Sequence, residues 1–325
     1  MRYVVFGAGA IGGVVGARLV QGGHQVVLVA RGAHLEAIVA HGLRVDAPSG
    51  SDVVTVHAVG HPADISWRDD DVVLLSVKSQ DTPPALHSLV ASGIAPSAAV
   101  VCLQNGVANE REASRRFANV YGATVMCPSA HLQPGVVATY SAPLTGALDI
   151  GRFPSGVDAV ATTLCDALGD ATFSARPVAD VQRWKYRKLL GNLTNAVEAV
   201  CGPAERRGPL GMMATEEGER VLAAAGIDVA TVAEDRARRD GVVAEQPIAG
   251  VARSGGSSWQ SLQRRTGTVE TPYLNGEIVM LGRMAGVATP VNALLVRLAD
   301  ALAAGRAAPG SISRNRFMAL LPADP

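Results

Sequence analysis

Two textures of hydrophobic and polar positions divide the chain. In the first half, short runs of Val, Leu and Ile alternate with stretches of helical spacing. Residues 3–6, 25–30, 71–77, 98–103, 120–126, 148–153 and 172–175 read as strands, and 10–21, 82–91 and 155–168 as helices. The runs at 71–77 and 98–103 are apolar at nearly every position, as strands buried on both faces of a parallel sheet are. The repeated β-α-β order predicts a doubly wound α/β domain. After about residue 178 the strand pattern stops. Residues 180–201, 213–225, 229–239, 270–285 and 292–304 read as helices, and GVARSGGSS at 250–258 as a polar, glycine-rich loop. The segment after residue 309 reads as loosely packed. Arg176-Pro177 marks a boundary, which gives a doubly wound α/β domain over 1–178 and an all-α domain over 179–325.

Composition narrows the class. The 325 residues are 48% hydrophobic and 18% charged, enough to bury two cores. Lys plus Arg and Asp plus Glu are 29 each, and neither half carries the basic excess of a nucleic-acid binder. Cys102, Cys127, Cys165 and Cys201 lie far apart with no CxxC or Cys/His cluster. That disfavours a metal site or disulfide framework and suits a reducing cytoplasm. The apolar N-terminus up to Ala17 is too short to span a bilayer, and no other segment is a membrane candidate.

That N-terminal stretch carries the most specific local motif. Gly7-Ala8-Gly9-Ala10-Ile11-Gly12 is GxGxxG directly after a strand and at the start of a helix. The first glycine makes the tight turn, the second lets a pyrophosphate approach the backbone, and the third lets helix and strand pack closely. At the end of the second strand, where an NAD site usually places an acid, Arg31 stands instead and Glu36 is the first acid after it. An arginine there pairs with a 2′-phosphate, which points to NADPH. Lys78 and Asn105 end two further strands. Either they face the cofactor and substrate, or they simply terminate buried strands; spacing alone leaves both open.

In the second half, Trp184, Lys188, Asn192 and Asn195 share one helical stripe. The flanking Leu189, Leu190, Leu193, Val197 and Val200 make the helix largely buried, so the stripe reads as the lining of a polar cleft. Arg183, Lys185 and Arg187 read as its solvated side. A partly desolvated lysine gives up a proton near neutrality. Ser258 reads as a loop or cap residue and Glu270 as an acid in a first helical turn. His131 falls on a strand or its following turn, more in keeping with a structural than a catalytic histidine, and His24 reads as a turn residue.

Taken together, GAGAIG at 7–12, VKSQDT at 77–82, LQNGV at 103–107, WKYRKLLGN at 184–192 and ETPYLNG at 270–276 resemble ketopantoate reductase (2-dehydropantoate 2-reductase), of the 6-phosphogluconate-dehydrogenase-like superfamily. The family's spacing of Ser to Glu is met by Ser258 and Glu270, and that of Lys to Asn by Lys188 and Asn192. The resemblance implies a Rossmann-type domain followed by a helical domain, and NADPH-dependent reduction of ketopantoate in pantothenate biosynthesis. It implies Lys188 as general acid and Glu270 as its partner in catalysis. It also implies Asn105, Asn192, Asn195 and Ser258 at the 2-oxo acid, with Lys78 and Asn105 at the cofactor–substrate junction and Arg31 on the 2′-phosphate. The chain departs from the family at Ala196, where a second Asn is common, and at Pro272, where an Asp is often found. Both departures lie around the substrate, so a related reductase of another 2-oxo acid, ketone or imine stands as the alternative. A non-catalytic NADPH-binding regulator has no need of Lys188 and Glu270 together. Family members occur as monomers or dimers, which leaves a homodimer open.

Overall fold

The computed structural model describes residues 1–253 and 255–322. The chain forms two compact units: Met1–Asn105, Asn109–Gln182 and Ala233–Arg253 make the first, and Gly106–Ala108, Arg183–Val232 and Ser254–Pro325 the second.

The first unit runs β1 (Arg2–Phe6), α1 (Ala10–Gln21), β2 (Gln25–Val29), α2 (Gly32–His41), β3 (Leu43–Ala47), β4 (Gly50–Val54), β5 (His57–Val59), β6 (Asp71–Leu75), α3 (Thr82–Ala91), β7 (Ala99–Cys102), α4 (Asn109–Ala113), β8 (Asn119–Met126), β9 (Ser129–Gln133), β10 (Val136–Thr139), β11 (Gly146–Arg152), α5 (Ala159–Asp170) and β12 (Phe173–Pro177). An eight-stranded sheet has the order β12-β11-β8-β7-β6-β1-β2-β5. From β8 to β5 every neighbour is parallel, and β11 alone pairs antiparallel, with β8. The chain moves from β1 outward to β2, then returns to lay β6 on the other side of β1. The carboxyl ends of β1, β2, β6 and β7 therefore share one edge, with the switch point at β1.

Alternation along the buried strands explains the layers. Val72 and Leu74 of β6 enter a core with α1 and α5 residues, while Val73 and Leu75 enter another with Leu86 and Leu89 of α3. A second sheet, ordered β4-β3-β10-β9, adds Leu43, Val45, Val54 and Val137 to the α1 core. Its short strands carry Asp, Ser, Gly and His among the apolar residues, so periodicity did not reveal them.

The second unit is built from helices: most of α6 (Val181–Cys201), then α7 (Pro203–Arg206), α8 (Pro209–Ala224), α10 (Ser257–Gln263), α11 (Asn275–Ala285), α12 (Pro290–Ala304) and α13 (Arg314–Ala319). Between α8 and α10, α9 (Val232–Arg239) leads into the segment that belongs to the first unit. Leu189, Leu193 and Val197 of α6 share a core with Val221, Ile278 and Leu295. No named strand follows β12 among the described residues.

Three sequence expectations change here. The 250–258 stretch ends in helix: Ser257 and Ser258 are the first turn of α10 behind Gly256 at its N-cap, while Ser254 lies outside the described residues. The segment after 309 is tied down rather than loose. Gly310 N–H donates to Ala199 O (2.8 Å), Ile312 N–H to Val200 O (3.1 Å), and Phe317 is fully buried; only 323–325 lie outside the described residues. Finally, Ala233–Arg253 packs on the first unit. The Arg238 guanidinium grips the buried Asp149 carboxylate of β11, at 2.7–3.0 Å, and donates to Ser174 O as well.

Candidate active site

The glycine turn after β1 has the shape its sequence demands. Gly7 has φ +107°, and a Cβ there would lie 2.8 Å from Val77 N. A Cβ on Gly12 would lie 2.2 Å from both Gly7 O and Ser76 Oγ, so helix and strand pack with no room for a methyl group. Above Gly9 the space is open: a Cβ would meet nothing within 4 Å. No side chain caps α1, and its first turn holds no acid. The first N–H groups of a twelve-residue helix are thus left for an anion, and these residues fit the phosphates of a dinucleotide. Ser76 was not singled out from sequence; its hydroxyl donates to Gly7 O (2.8 Å) and pins the turn to the end of β6.

Arg31 is exposed at the carboxyl end of β2, as the N-cap residue of α2. Its guanidinium makes no hydrogen bond or ion pair among the described residues, and α2 has neither a capping side chain nor an acid in its first turn. An exposed guanidinium at an uncapped helix start suits a phosphate monoester.

Lys78 and Asn105 occupy the same sheet edge, after β6 and β7, and both are half-buried. Asn109, buried and unmarked in the sequence, ties their loops together. Its Nδ2 donates to Asn105 O (3.3 Å) and Ser79 Oγ (3.2 Å), and its Oδ1 accepts from Thr82 Oγ1 (2.8 Å). Gln104 Nε2 donates to the same Thr82 hydroxyl at 3.2 Å.

In the second unit, Lys188 and Asn192 are half-buried, one turn apart on α6. Asn192 Oδ1 accepts a long bond from Asn195 Nδ2 (3.5 Å), and Asn192 Nδ2 is buried with no hydrogen bond among the described residues. Asn195 is itself buried against the turn that opens α10: a Cβ on Gly256 would lie 2.8 Å from Asn195 Oδ1. Glu198, three residues on, accepts from Gly256 N–H (3.0 Å) and Arg206 (2.9 Å). Glu198 and Asn195 thus seat the N-terminus of α10, which carries the buried Ser258. A lone acid in the apolar stretch AVEAV is the signal that could have revealed Glu198. Glu270 is half-buried and opens the short turn Thr271–Tyr273 ahead of α11; its carbonyl accepts from Tyr273 N–H at 2.9 Å.

The stripe neighbours differ from expectation. Lys185 is buried rather than solvated. Arg183 pairs with Asp228 (2.9 Å), and Arg187 donates to Ala230 O. His131 lies on β9 with its ring 4.3 Å from that of His34.

Comparison with known proteins decides the family. The profile described as "Ketopantoate reductase PanE/ApbA" matches residues 3–155, and "Ketopantoate reductase PanE/ApbA C terminal" matches 180–303. The chain belongs to the ketopantoate reductase family. It is 30% identical to the 2-dehydropantoate 2-reductase of Archaeoglobus fulgidus over 313 residues, covering 94% of this chain and 98% of the relative. With the Halobacterium salinarum 2-dehydropantoate 2-reductase it is 32% identical over 317 residues, covering 92% and 99%. The crystal structure of a PanE/ApbA family ketopantoate reductase from Ralstonia eutropha JMP134 superposes with a TM-score of 0.79 at 28% identity, covering 94% and 99%. D-Mandelate dehydrogenase in ternary complex with NADH and anilino(oxo)acetate shares the fold, with a TM-score of 0.80 at 23% identity over 94% and 99%. No helix among the described residues is long and apolar enough to cross a membrane.

Proposed function

We propose that this protein is an NADPH-dependent oxidoreductase that reduces ketopantoate, a small 2-oxo acid, to pantoate. Residues 1–178 would serve as the cofactor domain and 179–325, apart from the 233–253 segment that packs on the first unit, as the catalytic one. The observation that carries the reading is on α6. Lys188 stands one turn from Asn192, whose buried Nδ2 has no hydrogen bond among the described residues, in a chain of the ketopantoate reductase family.

The residues divide the work as follows. The 7–12 turn and the N-terminus of α1 hold the cofactor's pyrophosphate, and Arg31 with the N-terminus of α2 holds a 2′-phosphate. Lys78 and Asn105 border the nicotinamide end. NADPH, when bound, supplies the hydride. Asn192 and Ser258 hold the 2-oxo acid, with the Asn192 amide donating to one of its oxygens. Asn195 acts from behind, through the Gly256 turn. Charge builds on the carbonyl oxygen during reduction; the Lys188 ammonium stabilises it and then transfers its proton there. Glu270 orients Lys188 and the product hydroxyl.

The test is Lys188→Ala. The expected result is a kcat for ketopantoate reduction lower by about 10²–10⁴-fold, with the Kd for NADPH unchanged. Wild-type turnover in this variant contradicts the assignment of the acid.

A further inference from the structure

The phosphate-binding turn is held from an unexpected side. His34, on α2, bridges it to the second sheet. Gly135 N–H, in the turn between β9 and β10, donates to His34 Nδ1 at 2.9 Å, and His34 Nε2 faces Ala8 O at 2.7 Å. These two partners fix the ring's protons. An N–H can only donate, so Nδ1 is bare; a carbonyl can only accept, so Nε2 carries the hydrogen. Gly135 is firmly placed for this. It has φ +74°, its carbonyl accepts from Arg44 N–H at 2.9 Å, and a Cβ on it would lie 2.9 Å from Ala37 Cβ of α2. The His131 ring, 4.3 Å away, packs beside His34.

The consequence falls on Gly9. In a trans peptide the C=O and the following N–H point in opposite directions. Holding Ala8 O toward His34 therefore turns the Gly9 N–H the other way. That N–H makes no hydrogen bond among the described residues, and the space at Gly9 is open. Val29 O already holds the N–H groups of Gly7 (3.1 Å) and Ala8 (3.2 Å), which leaves the Ala8–Gly9 peptide as the part that, among the described residues, only His34 secures.

We propose that His34 is a positioning residue for the cofactor: its Nε2–H fixes the Ala8–Gly9 peptide so that the Gly9 N–H and the start of α1 are preset for a phosphate. The inference rests on the dinucleotide reading above.

Two substitutions separate this role from simple packing. In His34→Gln the side-chain amide reaches the Nε2 position and can still donate to Ala8 O. In His34→Asn the shorter side chain reaches only the Nδ1 position and can still accept from Gly135 N–H. Direct titration with NADPH by fluorescence, alongside thermal unfolding, reads both. The expected result is a Kd raised roughly tenfold in His34→Asn and within about twofold of wild type in His34→Gln, with kcat at saturating NADPH unchanged in both. Equal affinities in the two variants, whether both retained or both lost with a fallen Tm, overturn the proposal. Should wild-type protein itself not bind NADPH, the cofactor reading fails instead, and the two failures are told apart in one experiment.

Discussion

Arg31 shows how much chemistry one side chain at a strand end can carry. It sits on an exposed helix start with no protein partner among the described residues, where a 2′-phosphate would give it one. Arg31→Ala is expected to raise the KM for NADPH by roughly 10–100-fold while leaving that for NADH nearly unchanged, since a hydrogen bond to a charged group contributes about 1.5–3 kcal/mol. Initial rates with the two cofactors check this, and equal loss for both removes Arg31 from the phosphate. At this scale the sequence was most informative where spacing is rigid, as in the turn shape at Gly7, Gly9 and Gly12 and in placing Lys188 one turn from Asn192 on one helix. It was silent on Ser76, Asn109, Glu198 and His34. Each of these acts on a residue distant in the chain through a hydrogen bond, and no local periodicity records such a bond. The reading of Lys185 as solvated failed for a related reason: a charged residue between an apolar stripe and a polar one does not declare its side.

Helix ends and strand edges set the next scale. Asp158 is the N-cap of α5, and its Oδ1 accepts from Ala161 N–H at 3.1 Å. Burial favours its protonated form, but the Ala161 N–H, Arg152 and the Tyr121 hydroxyl outweigh that and hold the carboxyl below its ordinary 3.8. A depressed folded-state value means stability that is fully present above the unfolded pKa and is lost as pH falls through the folded one. Asp158→Asn keeps an acceptor but not the charge. It should unfold at lower urea than wild type at pH 7, with the gap narrowing as pH falls below 3.8; a gap independent of pH refutes the charge argument. Elements with strong periodicity were legible to the residue, as α1 and α3 show. β3, β4 and β10 were not, because they are short and β3 and β4 mix charged and small residues with apolar ones; β9 was legible only as the strand or turn at His131. α10 was hidden by its Gly-Ser composition: Glu198 stabilises its N-terminus from another helix, and tertiary contact overrides weak propensity.

The whole chain is less sequential than its two textures suggest. Residues 233–253 follow helices of the second unit yet pack on the first, through Arg238 and the buried Asp149. Removing one partner of a buried ion pair typically costs about 3–5 kcal/mol, because the other charge is left uncompensated. Because Arg176 Nε also donates to Asp149 Oδ1 (3.2 Å), Arg238→Ala should lower stability by less than that amount and open 240–253 to limited proteolysis. Unchanged proteolysis would mean that the backbone bond from Gln246 N–H to Tyr140 O (2.8 Å) and its neighbours suffice. The thiols offer an independent check on core integrity. Burial pushes Cys165 up to about 12 and Cys201 to about 11, so neither should alkylate appreciably at pH 8 until the chain unfolds.

The most direct test of the central reading follows absorbance at 340 nm. Purified protein is mixed with NADPH and ketopantoate, beside NADH and a panel of other 2-oxo acids. The account predicts rapid NADPH oxidation with ketopantoate, slower oxidation of NADH, and little turnover of the rest of the panel. Silence with ketopantoate in a protein that binds NADPH, and turnover of another 2-oxo acid instead, would contradict it and mark Ala196 and Pro272 as part of a site built for a different substrate.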